Sequence, residues 1–288
     1  MALIIILISL AIERFLGSME ELRRSGWFIA YSRWASARLA QYESLNGPVG
    51  LLLILLPLIV PVMLLVHYLS GIWLLVGVPF SILVLLYCFG PRDLEAEVEA
   101  FVDARRRGDE ESACWHANVL LGEEDEVDNS AELTKNIMEN IFVEANERLL
   151  AVIFWFVMLG PAGALLYRLS SLIAPAEGEE PEGVVEAGMR LHQLLVWVPA
   201  RFCAIAYALA GSFVEALHNW RQVECHWYLS SRQVLIAAGF GALRMDISEI
   251  EEDSTACDQI IEAMAMVRRA VLVSLSIIAM LTLAGWMG

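Results

Sequence analysis

Asn136, Asn140 and Glu144 follow one another every fourth residue, and Glu147 comes one turn later. On a helix that spacing puts all four on one face. Leu133, Ile137, Ile141 and Ala145 occupy the adjoining face. Carboxylates held in position can transfer protons, so this stripe is either a site or a polar surface that abuts an apolar helix. A second residue with chemistry is Arg201, which falls near the middle of a hydrophobic segment, 191–213. A charge at that depth costs a few kcal/mol in a bilayer, and arginine cannot shed its proton. The guanidinium must therefore meet something acidic or carbonyl-rich. Pro199, two residues before it, frees a backbone carbonyl one turn earlier and can open a polar cavity there. Arg201 either fixes helix packing through a buried pair or steadies negative charge developing on a ligand.

The elements that must position these residues are membrane helices. The polar stripe leads directly into 149–167, an uncharged run bracketed by Arg148 and Arg168. A bilayer core of about 30 Å needs roughly 20 apolar residues of helix, which predicts a span there. The same reasoning predicts spans at about 2–16, 48–67, 71–90, 191–213 and 270–288. Residues 44–91 contain no Asp, Glu, Lys or Arg and break at HYLSG, 67–71, into a hairpin whose helices carry Pro57, Pro61 and Pro79. The first segment lacks a basic flank and a small-residue cleavage site, so it reads as an uncleaved span and not as a removable signal. Being short, it either crosses alone or is partly buried among other helices.

Between the spans lie three polar segments, 17–47, 91–148 and 214–269, which hold most of the arginines; 67–71 and 174–183 hold none. The positive-inside rule places the three segments in the cytoplasm, consistently with six crossings. Leu94, Val98, Phe101 and Val102 form an apolar helical stripe that Gly108 ends, and a short helix over 113–121 ends at Gly122. These stripes are too narrow for a core of their own and must pack on something larger. SSRQVLIAAGFGAL, 230–243, reads as a capped short helix ending in glycines.

Totals narrow the function. A formal charge of −16 excludes nucleic-acid binding, and 58% hydrophobic content with a positive mean hydropathy exceeds the usual soluble range. The five cysteines are scattered and never spaced C-x-x-C, which excludes a disulfide framework. Cys114/His116 and Cys225/His226 lack metal-site spacing, and the acidic run at Glu123, Glu124, Asp125, Glu126 and Asp128 is either a solvated loop or a seat for a hard cation. No Walker spacing occurs, and no metal or cofactor is assigned. The expectation is an all-α fold: a polytopic transmembrane helical bundle with cytoplasmic amphipathic helices, one integral domain over 1–288. Its location is the bacterial inner membrane and its first partner the lipid bilayer.

ERFLG at 13–17, the block from EAN to LLYR at 144–168, WVPAR at 197–201 and SSRQVL at 230–235 resemble, in order and spacing, the AmpE family. These are inner-membrane proteins encoded beside the AmpD amidase and associated with β-lactamase induction. ERFLG, Glu144-Ala145-Asn146, PAGALLYR (161–168), VPAR and AAGFGAL (237–243) are in turn similar to the CobD/CbiB family, which joins an aminopropanol unit to a corrinoid carboxylate. Two motifs of that second family differ here. Glu147 and Arg148 stand where it carries Asp-Gly, and Ser170, Ser171, Leu172 and Ile173 stand where it carries an Asn-Thr-x-Asp-like segment.

The first resemblance implies a regulatory or accessory protein of cell-wall recycling, with a muropeptide-like or other small ligand, or a membrane or cytoplasmic protein partner. The alternative, from the second, is a membrane-bound amide-forming synthase with Glu13, Glu144, Asn146 and Arg201 as candidate catalytic residues. Glu13 and Glu144, both at ends of hydrophobic segments in these motifs, are then the expected partners of Arg201.

Overall fold

The computed structural model describes residues 2–16, 25–39, 41–42, 45–72, 74–90, 93–122, 130–173, 182–223, 231–245 and 256–284. Every regular element among them is a helix, so the fold is all-α. Four helices are long and apolar enough to cross a membrane: Pro48–Leu69, Ala131–Ser171, Gly183–Ala210 and Ala256–Leu283. The chain is a polytopic membrane protein. α1 (Ala2–Leu16) and α4 (Leu74–Cys88) have 15 residues each, which is roughly 22 Å of helix against a core of about 30 Å.

The chain resolves into two compact units, one from Met1–Pro91, Ala151–Trp197 and Ala284–Gly288, the other from Arg92–Leu150 and Val198–Leu283. In the first unit α8 (Ala151–Ser171) packs against α4 and against α3 (Pro48–Ile72), and α1 packs against α4 and α8. Ile6, Ile54, Leu85, Ala164 and Leu169 are buried between them. Leu52, Leu53, Leu56, Met63 and Leu64 point outward and stay exposed, the reverse of a water-facing surface. α2 (Gly26–Leu39) lies on α3 and buries Phe28. α8 is broken at Gly160, whose φ of 70° and ψ of −162° fall where only glycine sits easily, just before Pro161 removes a donor.

The carbonyl that Pro199 frees belongs to Leu195, four residues earlier. α9 (Gly183–Ala210) does not leave it open. Trp155 of α8 donates its indole N–H to the Leu195 oxygen at 2.9 Å. A donor 40 residues away in sequence thus fills the gap in the ladder, as the lack of water in a bilayer requires. Trp155→Phe keeps an aromatic ring and removes the donor together with the five-membered ring that carries it. It should cost about 1–3 kcal/mol, read as a lower melting temperature of the purified protein in detergent. Pro199→Ala supplies the control: it restores the intrahelical donor, and in that background the Trp155→Phe loss should shrink.

In the second unit α5 (Leu94–Arg107) starts on Asp93, whose carboxylate accepts from the Glu95 N–H at 3.0 Å, and stops at Gly108 with φ 72°. Its stripe of Leu94, Val98, Phe101 and Val102 is buried against α6 (Glu110–Leu121), α7 (Ser130–Ala145) and α12 (Ala256–Leu283). That is the larger partner the narrow stripes require. α12 begins 14 residues before the apolar run at 270, and this first half buries Ile260, Ala263, Met264 and Val267. α11 (Ser231–Leu243) does not end in its glycines as the sequence suggests. Gly239 and Gly241 lie inside it because neighbours come too close for a Cβ: the Phe142 ring at Gly239, and the Glu215 and Ala216 backbone of α10 (Phe213–Val223) at Gly241. Close packing overrides the local tendency of glycine to stop a helix.

Candidate functional site

Helical conformation continues from α7 through a π-helical turn, Asn146–Leu150. Such a turn carries one residue more than the α-helix and recurs at functional sites. The polar stripe read from the sequence divides into two parts at this point. Asn140 is structural: its side-chain N–H donates to the carbonyl of Leu120 in the last turn of α6, one of the acceptors that a helix end leaves without a partner. Glu144 bonds Arg148, one turn on, in a half-buried ion pair. Glu147 is half-buried, with Glu144, Arg148 and Arg232 as its charged neighbours. Glu139 stands 4.0 Å from both Lys135 and Arg232.

Asn146 is the feature of this turn that the fold does not account for. It is 0% exposed, and neither its side-chain oxygen nor its nitrogen has a hydrogen-bond partner. Buried amides almost always find one, because leaving the group unpaired costs its full desolvation. The turn before it is held firmly. Tyr207 of α9 donates its hydroxyl to the Phe142 carbonyl at 2.8 Å, and the Phe142 ring packs at 5.7 Å on Tyr207 and 5.5 Å on Phe240.

Of the four residues picked out from the sequence, Asn146 opens this turn and Glu144 lies two residues before it, at the end of α7, so the two leave the helix on different faces. Arg201 is half-buried on α9 in the same unit, nine residues before Ala210, so it lies about 14 Å from the helix end. Glu13 is half-buried in α1, in the first unit. Both are engaged with neighbours. Arg148, Arg232 and Tyr207 escaped the sequence reading. Arg148 had a signal in its four-residue spacing from Glu144, whereas Tyr207 and Arg232 are brought in by tertiary packing.

In the first unit, Ser170 stands in the segment where the CobD/CbiB pattern differs. Its hydroxyl donates to the Tyr167 carbonyl at 2.7 Å and lies 3.1 Å from Nδ1 of His192 on α9. It is fully enclosed and ties α8 to α9. His116 Nδ1 is 3.3 Å from Glu97, and Cys114 is exposed. Among the described residues no group of three or more His, Cys, Asp or Glu could hold a metal ion. The acidic run at 123–128 and the Cys225/His226 pair lie outside the described residues.

The arrangement at the π turn offers a donor and an acceptor on one buried amide, a proton-accepting carboxylate, and two guanidinium groups. Such an amide can orient a carboxyl or amide function, and such a carboxylate can move a proton.

A family model described as CobD/Cbib protein matches residues 6–251. The chain is 28% identical to the cobalamin biosynthesis protein CobD of Chromobacterium violaceum over 173 residues, 59% of this chain and 55% of that protein. It is 35% identical to the CobD of Stutzerimonas stutzeri over 113 residues, 38% of this chain and 36% of that one. The matched stretches thus span about half and about a third of these two relatives. Protein AmpE of Shigella flexneri is 25% identical over 227 residues, 74% of each chain. No solved structure matches.

Proposed function

We propose that this chain, which belongs to the CobD/Cbib protein family, is a membrane-bound synthase of the cobalamin-biosynthesis type that condenses an activated carboxylate with an amine to form an amide. The observation that carries this reading is the buried, unpartnered amide of Asn146 in the π-helical turn that follows α7. An acyl oxygen can accept from its N–H, and the attacking amine can donate to its oxygen. As the new C–N bond forms, the acyl C–O bond to the activating phosphate supplied by ATP breaks, phosphate leaves, and Glu147 takes the proton that the amine loses on attack. Arg148 and Arg232, the cationic neighbours of Glu147, supply positive charge against that developing on the acyl group, and Arg201 is a further cation in the same unit.

The test is chemical. Membranes holding the protein are given a corrinoid carboxylic acid, aminopropanol and ATP. A product with the mass of acid plus amine less water supports the reading. No product, with intact protein and an active family member run in parallel, overturns it.

A second reading, a regulatory or accessory protein of β-lactamase induction and cell-wall recycling, draws support from the Shigella AmpE match. That match covers more of both chains than either of those CobD matches. Glu147 and Arg148, in place of Asp-Gly, also favour it. It requires that deletion changes β-lactamase induction and that no corrinoid amide forms.

In either case we place the protein in the bacterial inner membrane, with 17–47, 91–148 and 214–269 facing the cytoplasm, from the arginine distribution. Reporter fusions at 110 and 178 should report opposite sides of the membrane, and the same side at both would refute the topology.

A further inference from the structure

A cleft of about 810 Å³ opens between the polar face of α10 and the end of α11. Glu215, His218, Asn219 and Gln222 line it from α10, with Arg244 and Met245 opposite. A carboxylate and a guanidinium thus share one cleft, and neither enters an ion pair among the described residues. The His218 ring nitrogen is 2.8 Å from the Gln222 amide.

Arg244 is also held in an unusual backbone state. Its N–H bonds the Gly241 carbonyl at 3.0 Å and the Met245 N–H bonds Phe240 at 3.1 Å, the pattern that closes a helix with a left-handed residue. Glycine is the usual occupant. Arg244, with φ 58°, is the one non-glycine with positive φ among the described residues. Strain kept at a charged residue in a cleft points to a task for its side chain.

The position of the cleft indicates what it holds. α10 starts three residues after α9, a helix long enough to cross the membrane, has ended. Gly211 packs on Ala242, and the Ser212 N–H donates to the Ala242 carbonyl at 2.8 Å, so the end of α9 is tied to the end of α11. The cleft therefore sits where a span stops, at the depth of lipid headgroups. At the start of α10, Phe213 is 50% exposed and Val214 72%. A helix with a polar face and outward apolar residues suits the membrane interface.

We propose that this cleft seats a phospholipid headgroup carrying a primary ammonium and a phosphate. Glu215 receives the ammonium, Arg244 and the Asn219 amide receive the phosphate, and Phe213 and Val214 meet the acyl chains. The site is separate in its residues from the π turn and does not depend on amide formation there.

The full-length protein, purified and stripped of lipid, is titrated with phosphatidylethanolamine, phosphatidylcholine and phosphatidylglycerol of identical chains and followed by native mass spectrometry. Wild type should hold phosphatidylethanolamine about tenfold more tightly than the other two, because choline offers Glu215 no N–H and glycerol no charge. Glu215→Gln and Arg244→Gly should each erase that preference. Arg244→Gly also relaxes the backbone, so its melting temperature should be at least that of wild type, which separates loss of the site from loss of the fold. Equal affinity of wild type for the three lipids would overturn the proposal, as would both variants keeping the preference. Glycerophosphoethanolamine, the headgroup without acyl chains, should compete poorly. If it competes mole for mole with the lipid, the lipid assignment is wrong and the cleft takes a soluble amino phosphate.

Discussion

Asn146→Leu should give a protein that melts above wild type and forms no product. The side chain is fully enclosed and both of its polar atoms lack partners, so the folded state carries a desolvation cost of about 1–3 kcal/mol that leucine, with the same branching and heavy-atom count, does not. Thermal denaturation in detergent should register the gain as a rise of a few degrees. Activity should fall by about 100-fold or more, because on the proposed reading the same amide meets the acyl carbon's oxygen and the amine. Stability and activity would move in opposite directions, as they do where a site is built at the expense of the fold. A variant that is both less stable and inactive would mean that Asn146 serves the fold. One as active as wild type would remove the residue from the site.

Gly239→Val should markedly destabilise the second unit. A Cβ at Gly239 already meets the Phe142 ring, and valine adds two methyl groups beyond it. Phe142 cannot yield. It is 0% exposed, lies between Tyr207 and Phe240, and its own carbonyl takes the Tyr207 hydroxyl. Overpacking of a site with so little slack costs about 3 kcal/mol, roughly 6–12 °C in melting temperature by the scaling of soluble domains. Gly239→Ala should fall between. Should Gly239→Val melt with wild type, the close approach of α11 to α7 is not what holds this unit together.

Local periodicity made much of this molecule legible. Leu94, Val98, Phe101 and Val102 repeat at the helical period and are buried together, because a stripe of that kind has nowhere else to go. The carbonyl freed by Pro199 could be foreseen from the ring alone, yet its partner could not, since Trp155 reaches it only through the packing of α8 on α9. Asn140 shares the spacing of Glu144 but not its task; it serves the end of α6, a contact 20 residues away. Gly239 and Gly241 misled for the same reason, as their meaning lies in Phe142 and in the α10 backbone.

Residue resemblance pointed to the CobD/CbiB relationship. It put the AmpE-type function first, whereas the matching family model and the CobD relatives give the synthase reading the stronger support. The division into two units, each woven from separate stretches of chain, leaves no mark in any short window of sequence.

That weaving sets a timetable for synthesis. The ribosome completes 92–150 before any of 198–283 exists, although the two stretches make one unit. At about 5–20 residues per second, the 47 residues between them take roughly 2–10 s. For that interval Leu94, Val98 and Phe101 lack the α12 surface that covers them in the finished protein, and the wait lasts until α12 itself has been made. The nascent chain must therefore hand α8 and α9 to the insertion machinery while its earlier amphipathic helices have only one another and still lack α12.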